Sequence, residues 1–136
     1  MSPKRSQRIS VPRSKSKDYL KVAENFHSGA EVAKVYDYWN AAGVLIVHAA
    51  IAYSDAITIK VGGVKSRGED HIAAVDLLES VVVLDETGKK AMRHLVRIIE
   101  HKNLVSYSGE IYSREDVEKL WKHLERFKTW VVSYLR

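Results

Sequence analysis

Apolar residues return every three or four positions along most of this chain, a spacing that predicts helices. Tyr19, Val22, Ala23, Phe26, Ala30, Ala33 and Tyr36 make one stripe, starting near Ser16 or Asp18, with Gly29 weakening its middle. Asp37 is the expected N-cap of a second helix, which runs through Trp39, Ala42, Ile46, Ala50 and Tyr53 to about Val61 and is closed by Gly62-Gly63. Because it is apolar almost all round, it should be the most buried element. A polar connection over 64–69 leads, after Gly68 or Asp70, into a short helix that turns Ala73, Ala74, Leu77, Leu78 and Val81 inward and ends by about Leu84. A fourth helix follows Thr87-Gly88, presents Met92, Leu95, Val96 and Ile99, and should stop near Gly109. Ser113 and Asp116 are spaced as a capping box and open the clearest stripe, Val117, Leu120, Trp121, Leu124, Phe127, Val131 and Leu135. No strand hairpin is visible. Short connections between amphipathic helices predict an all-α, up-and-down bundle of about five antiparallel helices.

Two places break the apolar pattern. Continuing the fourth stripe past Ile99 lands on Lys102, Asn103 and Ser106, with Tyr107 four residues beyond Asn103, so a local polar cluster is expected near that helix's C-terminal end. A cation there suits the negative end of the helix dipole. In the second helix His48 and Asp55 lie seven apart on one face, a secondary polar site that serves either an interhelical network or a proton relay. The six histidines show no compact ligand spacing, so no metal is expected, and without a glycine-rich phosphate loop after a strand no cofactor is expected either. The chain has no cysteine, which removes disulfides and thiolate chemistry.

Charge changes the picture at one end. The 136 residues carry a net +5, but residues 1–17 hold Lys4, Arg5, Arg8, Arg13, Lys15 and Lys17 with no acid, while the remainder is nearly neutral. With Pro3, Pro12 and five serines, this segment reads as a disordered basic arm attracted to phosphate backbones, leaving 18–136 as a single domain. The longest mostly apolar stretch, 41–59, is interrupted by His48, Ser54, Asp55 and Thr58, so no membrane span is expected. No leader pattern precedes it, and the cytoplasm is the expected location.

An alanine-rich buried helix with Asp55-Ala56, then Gly62-Gly63, Asp70-His71 and a helix ending in Lys102-Asn103-x-x-x-Tyr107, resembles the HEPN-domain superfamily over about 18–136. The resemblance implies a helical bundle that forms homodimers, pairs with nucleotidyltransferase-like partners, or acts as a metal-independent ribonuclease in toxin–antitoxin and defence systems. The ribonuclease motif of that family, R-N-x-x-x-H, falls on Lys102, Asn103 and Tyr107, so two of its three positions depart. Tyrosine, with an ordinary pKa of about 10, is a weak base near neutral pH, and lysine lacks the planar fork that grips phosphate. The implied function is therefore a nucleotide-, RNA- or protein-binding module with little or no catalysis, in which Lys102, Asn103, Ser106 and Tyr107 line the binding site. The alternatives are a metal-independent endoribonuclease with a degenerate motif, its candidate catalytic groups being Asn103, Tyr107 and Lys102, and a structural dimeric adaptor.

Overall fold

The computed structural model describes residues 8–67 and 71–135, with the side chains of 71 and 72 outside that description. Its helices are α1 (Ser16–Val35), α2 (Trp39–Gly62), α3 (His71–Val81), α4 (Glu86–Ile99), the short α5 (Lys102–Tyr107) and α6 (Arg114–Leu135). They form the expected all-α bundle. Two three-residue strands, β1 (Arg8–Ser10) and β2 (Val64–Ser66), and a 3-10 turn at Arg13–Lys15 complete the described elements.

α2 is the axis of the bundle. It touches each of the other five helices, and Ala42, Ile46, Ala49, Ala50, Tyr53, Ala56, Ile57 and Ile59 are fully buried along it. Alanines on both sides, Ala23 and Ala30 in α1 and Ala42, Ala49 and Ala50 in α2, let the two backbones approach closely. α2 is long and apolar enough to span a bilayer, but most of that length is enclosed by the other helices, as in the core helix of a bundle. α6 closes the other side with Val117, Leu120, Leu124, Phe127 and Val131, all buried.

The caps follow the sequence in part. At the start of α6 the Ser113 N–H donates to Asp116 Oδ2 at 2.9 Å, and the Asp116 N–H donates to Ser113 Oγ at 3.2 Å, the reciprocal pair the spacing predicts. Gly63 ends α2 at φ 65°, where a side chain would be strained. Asp37 does not cap α2. It sits at φ 60° in the reversal between α1 and α2, and Tyr38 takes the N-cap position. α4 is capped instead by Asp85, whose Oδ1 accepts the Gly88 N–H at 2.8 Å.

Residues 8–17 are not the disordered arm the composition predicts. β1 pairs antiparallel with β2, Arg8 opposite Ser66 and Ser10 opposite Val64, and the Val11 N–H extends the ladder to Gly63 O at 2.9 Å. Arg8 donates to Ser80 Oγ at 2.8 Å, and Ser16 Oγ donates to Ala56 O at 2.8 Å, which fastens the first turn of α1 to α2. The edge that 64–66 offers after α2 supplies the partner that the arm lacks on its own. Lys4 and Arg5 of the expected arm, and Gly68 and Asp70 as caps of α3, lie outside the described residues.

Candidate functional site

The fourth predicted helix does not run to Gly109. Its bonding tightens at the end, with the His101 N–H reaching Ile98 O at 3.1 Å, and α5 restarts from His101 O, which accepts the Val105 N–H at 2.9 Å. The break resets the helical phase, so that Val105, not Lys102 or Asn103, turns into the core. The room for it comes from Gly43 of α2, where a Cβ would stand 2.6 Å from Val105 Cγ2. Asn40, one residue into α2, clamps the segment: its Nδ2 donates to Val105 O at 3.2 Å and Glu110 O at 2.9 Å, and its Oδ1 accepts the Tyr112 N–H at 2.9 Å. Tyr112 in turn is bonded to His101 Nδ1 at 2.5 Å.

The consequence for the predicted site is direct. Lys102 is half-buried, Asn103 and Ser106 are exposed, and the Tyr107 side chain is 84% exposed. They lie on one short helix, Asn103, Ser106 and Tyr107 exposed, and none of the four lines the clefts described below. The secondary pair is also separated by its surroundings. His48 is exposed beside Phe26, ring centroids 5.5 Å apart, whereas Asp55 is only 8% exposed, and burial raises its pKa to about 7 despite the opposing pull of Lys65.

A different polar cluster is built between α1, α2 and α6. His27 interrupts the stripe between Ala23 and Ala30 and is buried, with Nδ1 2.8 Å from the Tyr53 hydroxyl and Nε2 3.6 Å from Glu125 Oε2. Placing the ring proton on Nε2, toward the carboxylate, leaves Nδ1 to accept the Tyr53 hydroxyl. Burial lowers the His27 pKa, with Glu125 opposing, and burial raises that of Tyr53. Trp121 stands edge-on to His27 at 4.8 Å, and Lys34 lies 4.1 Å over the Trp121 ring while pairing with Glu118 at 3.2 Å. A cleft of about 190 Å³ opens here, lined by Glu24, Glu31, Glu125 and Lys128. Every buried polar atom in this cluster has a partner, which makes it a structural network.

A concentration of positive charge lies where the folded arm meets the bundle. A cleft of about 300 Å³ is lined by Arg13, Ser14 and Lys17 around the start of α1, and by Lys60 near the end of α2, over a floor of Leu20 and Leu135. No carboxylate lines it among the described residues. The Lys15 N–H reaches Pro12 O at 2.9 Å, closing the 3-10 turn that carries Arg13 and Ser14 to this cleft. On the small sheet Arg8 reaches Ser80 of α3 and Lys65 lies 5.7 Å over the Tyr19 ring of α1. The arm was legible as basic, whereas its partner Lys60, over forty residues away, was not. Among the described residues no group of three or more histidines or acids is arranged to hold a metal ion.

No family model matches this chain, and neither the curated proteins nor the solved structures contain one with significant similarity to it.

Proposed function

We propose that this protein is a non-catalytic RNA-binding module with a HEPN-like bundle, holding a strand through its phosphates. One observation carries the reading: Arg13, Lys17 and Lys60 come from three separate elements to line one cleft, with no carboxylate among its described lining residues. Three cations fixed on rigid elements attract a polyanion with little ordering cost, and each phosphate they neutralise releases counterions from the strand. The exposed α5 supplies a secondary contact, with Lys102 for charge and Tyr107 for stacking on a base. Cleavage is not part of this reading, because Asn103 and Tyr107 stand exposed on α5, outside any cleft that would hold a scissile bond against them. Homodimerisation and a nucleotidyltransferase-like partner belong to the HEPN resemblance and are tested by solution mass with and without such a protein.

The test is fluorescence anisotropy of a labelled single-stranded RNA with the full chain and with Arg13→Ala/Lys17→Ala/Lys60→Ala. On the counterion-release scale each phosphate contact is worth about fivefold at 0.1 M salt, so the triple change should weaken binding by roughly a hundredfold and shallow the salt slope by about 2. Circular dichroism should show the helices intact, since all three side chains are exposed. Unchanged affinity in the folded variant removes the assignment. RNA cut in the presence of EDTA supports the ribonuclease reading instead.

A further inference from the structure

α4 and α6 meet at two imidazoles. His94 Nδ1 and His123 Nδ1 are 2.9 Å apart, with ring centroids at 5.1 Å and both side chains half-buried. A contact between two ring nitrogens at that distance needs one N–H and one bare nitrogen, so it accommodates the neutral pair or one imidazolium but not two Nδ1–H groups facing each other. Positive groups surround it. Arg93 acts on His94 from α4, Arg97 acts on His123 from α4, Arg126 of α6 acts on both, and His101 adds to the field from the break before α5. Lys90 shares with His94 and Arg126 a cleft of about 300 Å³ along the same seam.

Four carboxylates of these helices are engaged elsewhere. Glu86 pairs with Lys89 at 3.7 Å, Glu118 with Lys34 at 3.2 Å and Glu125 with His27 at 3.6 Å, while Asp116 caps α6. Glu100 lies on the other flank of α4, in the groove it shares with Arg93 and Arg97. No carboxylate acts on either imidazole of the pair among the described residues, and burial together with the neighbouring cations holds both pKa values below the ordinary histidine value. Among the described residues the seam thus lacks a counter-charge.

We infer that the α4–α6 seam is a proton-linked oxyanion site, in which a phosphate group of an RNA strand settles between Lys90, Arg126 and the two imidazoles as the His94–His123 pair takes up a proton. The incoming anion supplies the missing counter-charge, the Nδ1 contact opens, and both rings donate to phosphate oxygens. Binding and protonation then favour one another by the same free energy, so affinity rises as pH falls. The inference takes its ligand class from the RNA-binding reading but concerns different residues from the cleft at the start of α1.

The experiment measures binding of a short 5′-hydroxyl RNA to the full chain across pH at fixed ionic strength, for the parent, His94→Gln, His123→Gln and the Arg13/Lys17/Lys60 triple-alanine variant. One linked proton should make the parent bind about tenfold more tightly near pH 5.5 than near pH 7.5. Either glutamine change should flatten that dependence, and melting curves confirm that each variant is folded. The triple variant should lose affinity at every pH while keeping the slope. Addition of RNA should raise the pKa of both imidazoles in NMR titrations, and the same shift with inorganic phosphate alone would identify the free ion, not the strand, as sufficient. A pH-independent parent, or an undiminished slope in both glutamine variants, overturns the inference while leaving RNA binding intact. No binding at any pH overturns the RNA-binding reading, and with it this extension.

Discussion

Two groups of polar residues interrupt apolar stripes in this chain, and the bundle treats them in opposite ways. His27 takes a core position in α1 and is enclosed, its two nitrogens meeting Tyr53 and Glu125. Lys102, Asn103 and Ser106 continue the α4 stripe on paper, yet α5 presents Asn103, Ser106 and Tyr107 to solvent. A polar residue on a stripe is forced into the core only while the helix keeps its phase. Between Ile99 and Lys102 the phase is lost, and Val105 takes the inward place.

The contrast gives predictions that can be ranked by size. The buried polar groups should control stability, and Asp55 the most. Its folded pKa of about 7 lies above the unfolded carboxylate value near 4, so between those values the folded state binds the proton that the unfolded state has released. Its contribution to stability therefore falls as pH rises from about 4 to 7, and above that the buried carboxylate is charged at a cost. Asp55→Asn should stabilise the protein by about 3 kcal/mol near pH 8 and by little near pH 4 in urea titrations. His27, His94 and His123, whose folded pKa values are lowered, act in the opposite sense, since below about pH 6.5 the unfolded state binds the protons. With Asp55 replaced, stability should rise steadily with pH up to about 7. A variant that still loses stability with increasing pH in that window would contradict the assignment to Asp55.

Asn40→Ala should come next, at about 2–3 kcal/mol, because it removes three hydrogen bonds that join α2 to 105–112. The loss should be local: amide exchange should accelerate in α5 while α1 and α2 stay protected. Tyr53→Phe should cost about 1–2 kcal/mol by leaving the buried His27 Nδ1 without its hydroxyl. Equal thermal melts for Tyr53→Phe and the parent would show that the His27 network contributes nothing net. At the small end, Tyr107→Ala should stay within about 0.5 kcal/mol, as for other exposed side chains. A larger loss would mean that α5 is covered in solution, as in a dimer.

The helices were legible because their signals are local. The stripe Val117, Leu120, Leu124, Phe127 and Val131 and the Ser113–Asp116 box each lie within a few residues, and they specify α6 almost to its first residue. β1 was not legible, because three residues, Arg8–Ser10, carry too little pattern and become a strand only through β2, more than fifty residues on. The sites suffered in the same way. His94 and His123 are each unremarkable in their own helix and meet only when α4 packs on α6, and Lys60 joins Arg13 only because the arm folds back. His27 did leave a trace, a histidine four residues after Ala23 and three before Ala30 on an otherwise apolar face. The α5 cluster misled for the converse reason: spacing alone does not reveal that a helix has been interrupted.

The claim that the folded basic arm, and not α5, holds the RNA is tested most directly by measuring two triple variants side by side at low salt. Arg13→Ala/Lys17→Ala/Lys60→Ala should bind single-stranded RNA roughly a hundredfold more weakly than the parent. Lys102→Ala/Asn103→Ala/Tyr107→Ala should fall by no more than about tenfold. The reverse order, with the α5 variant losing binding and the arm variant retaining it, would contradict this account.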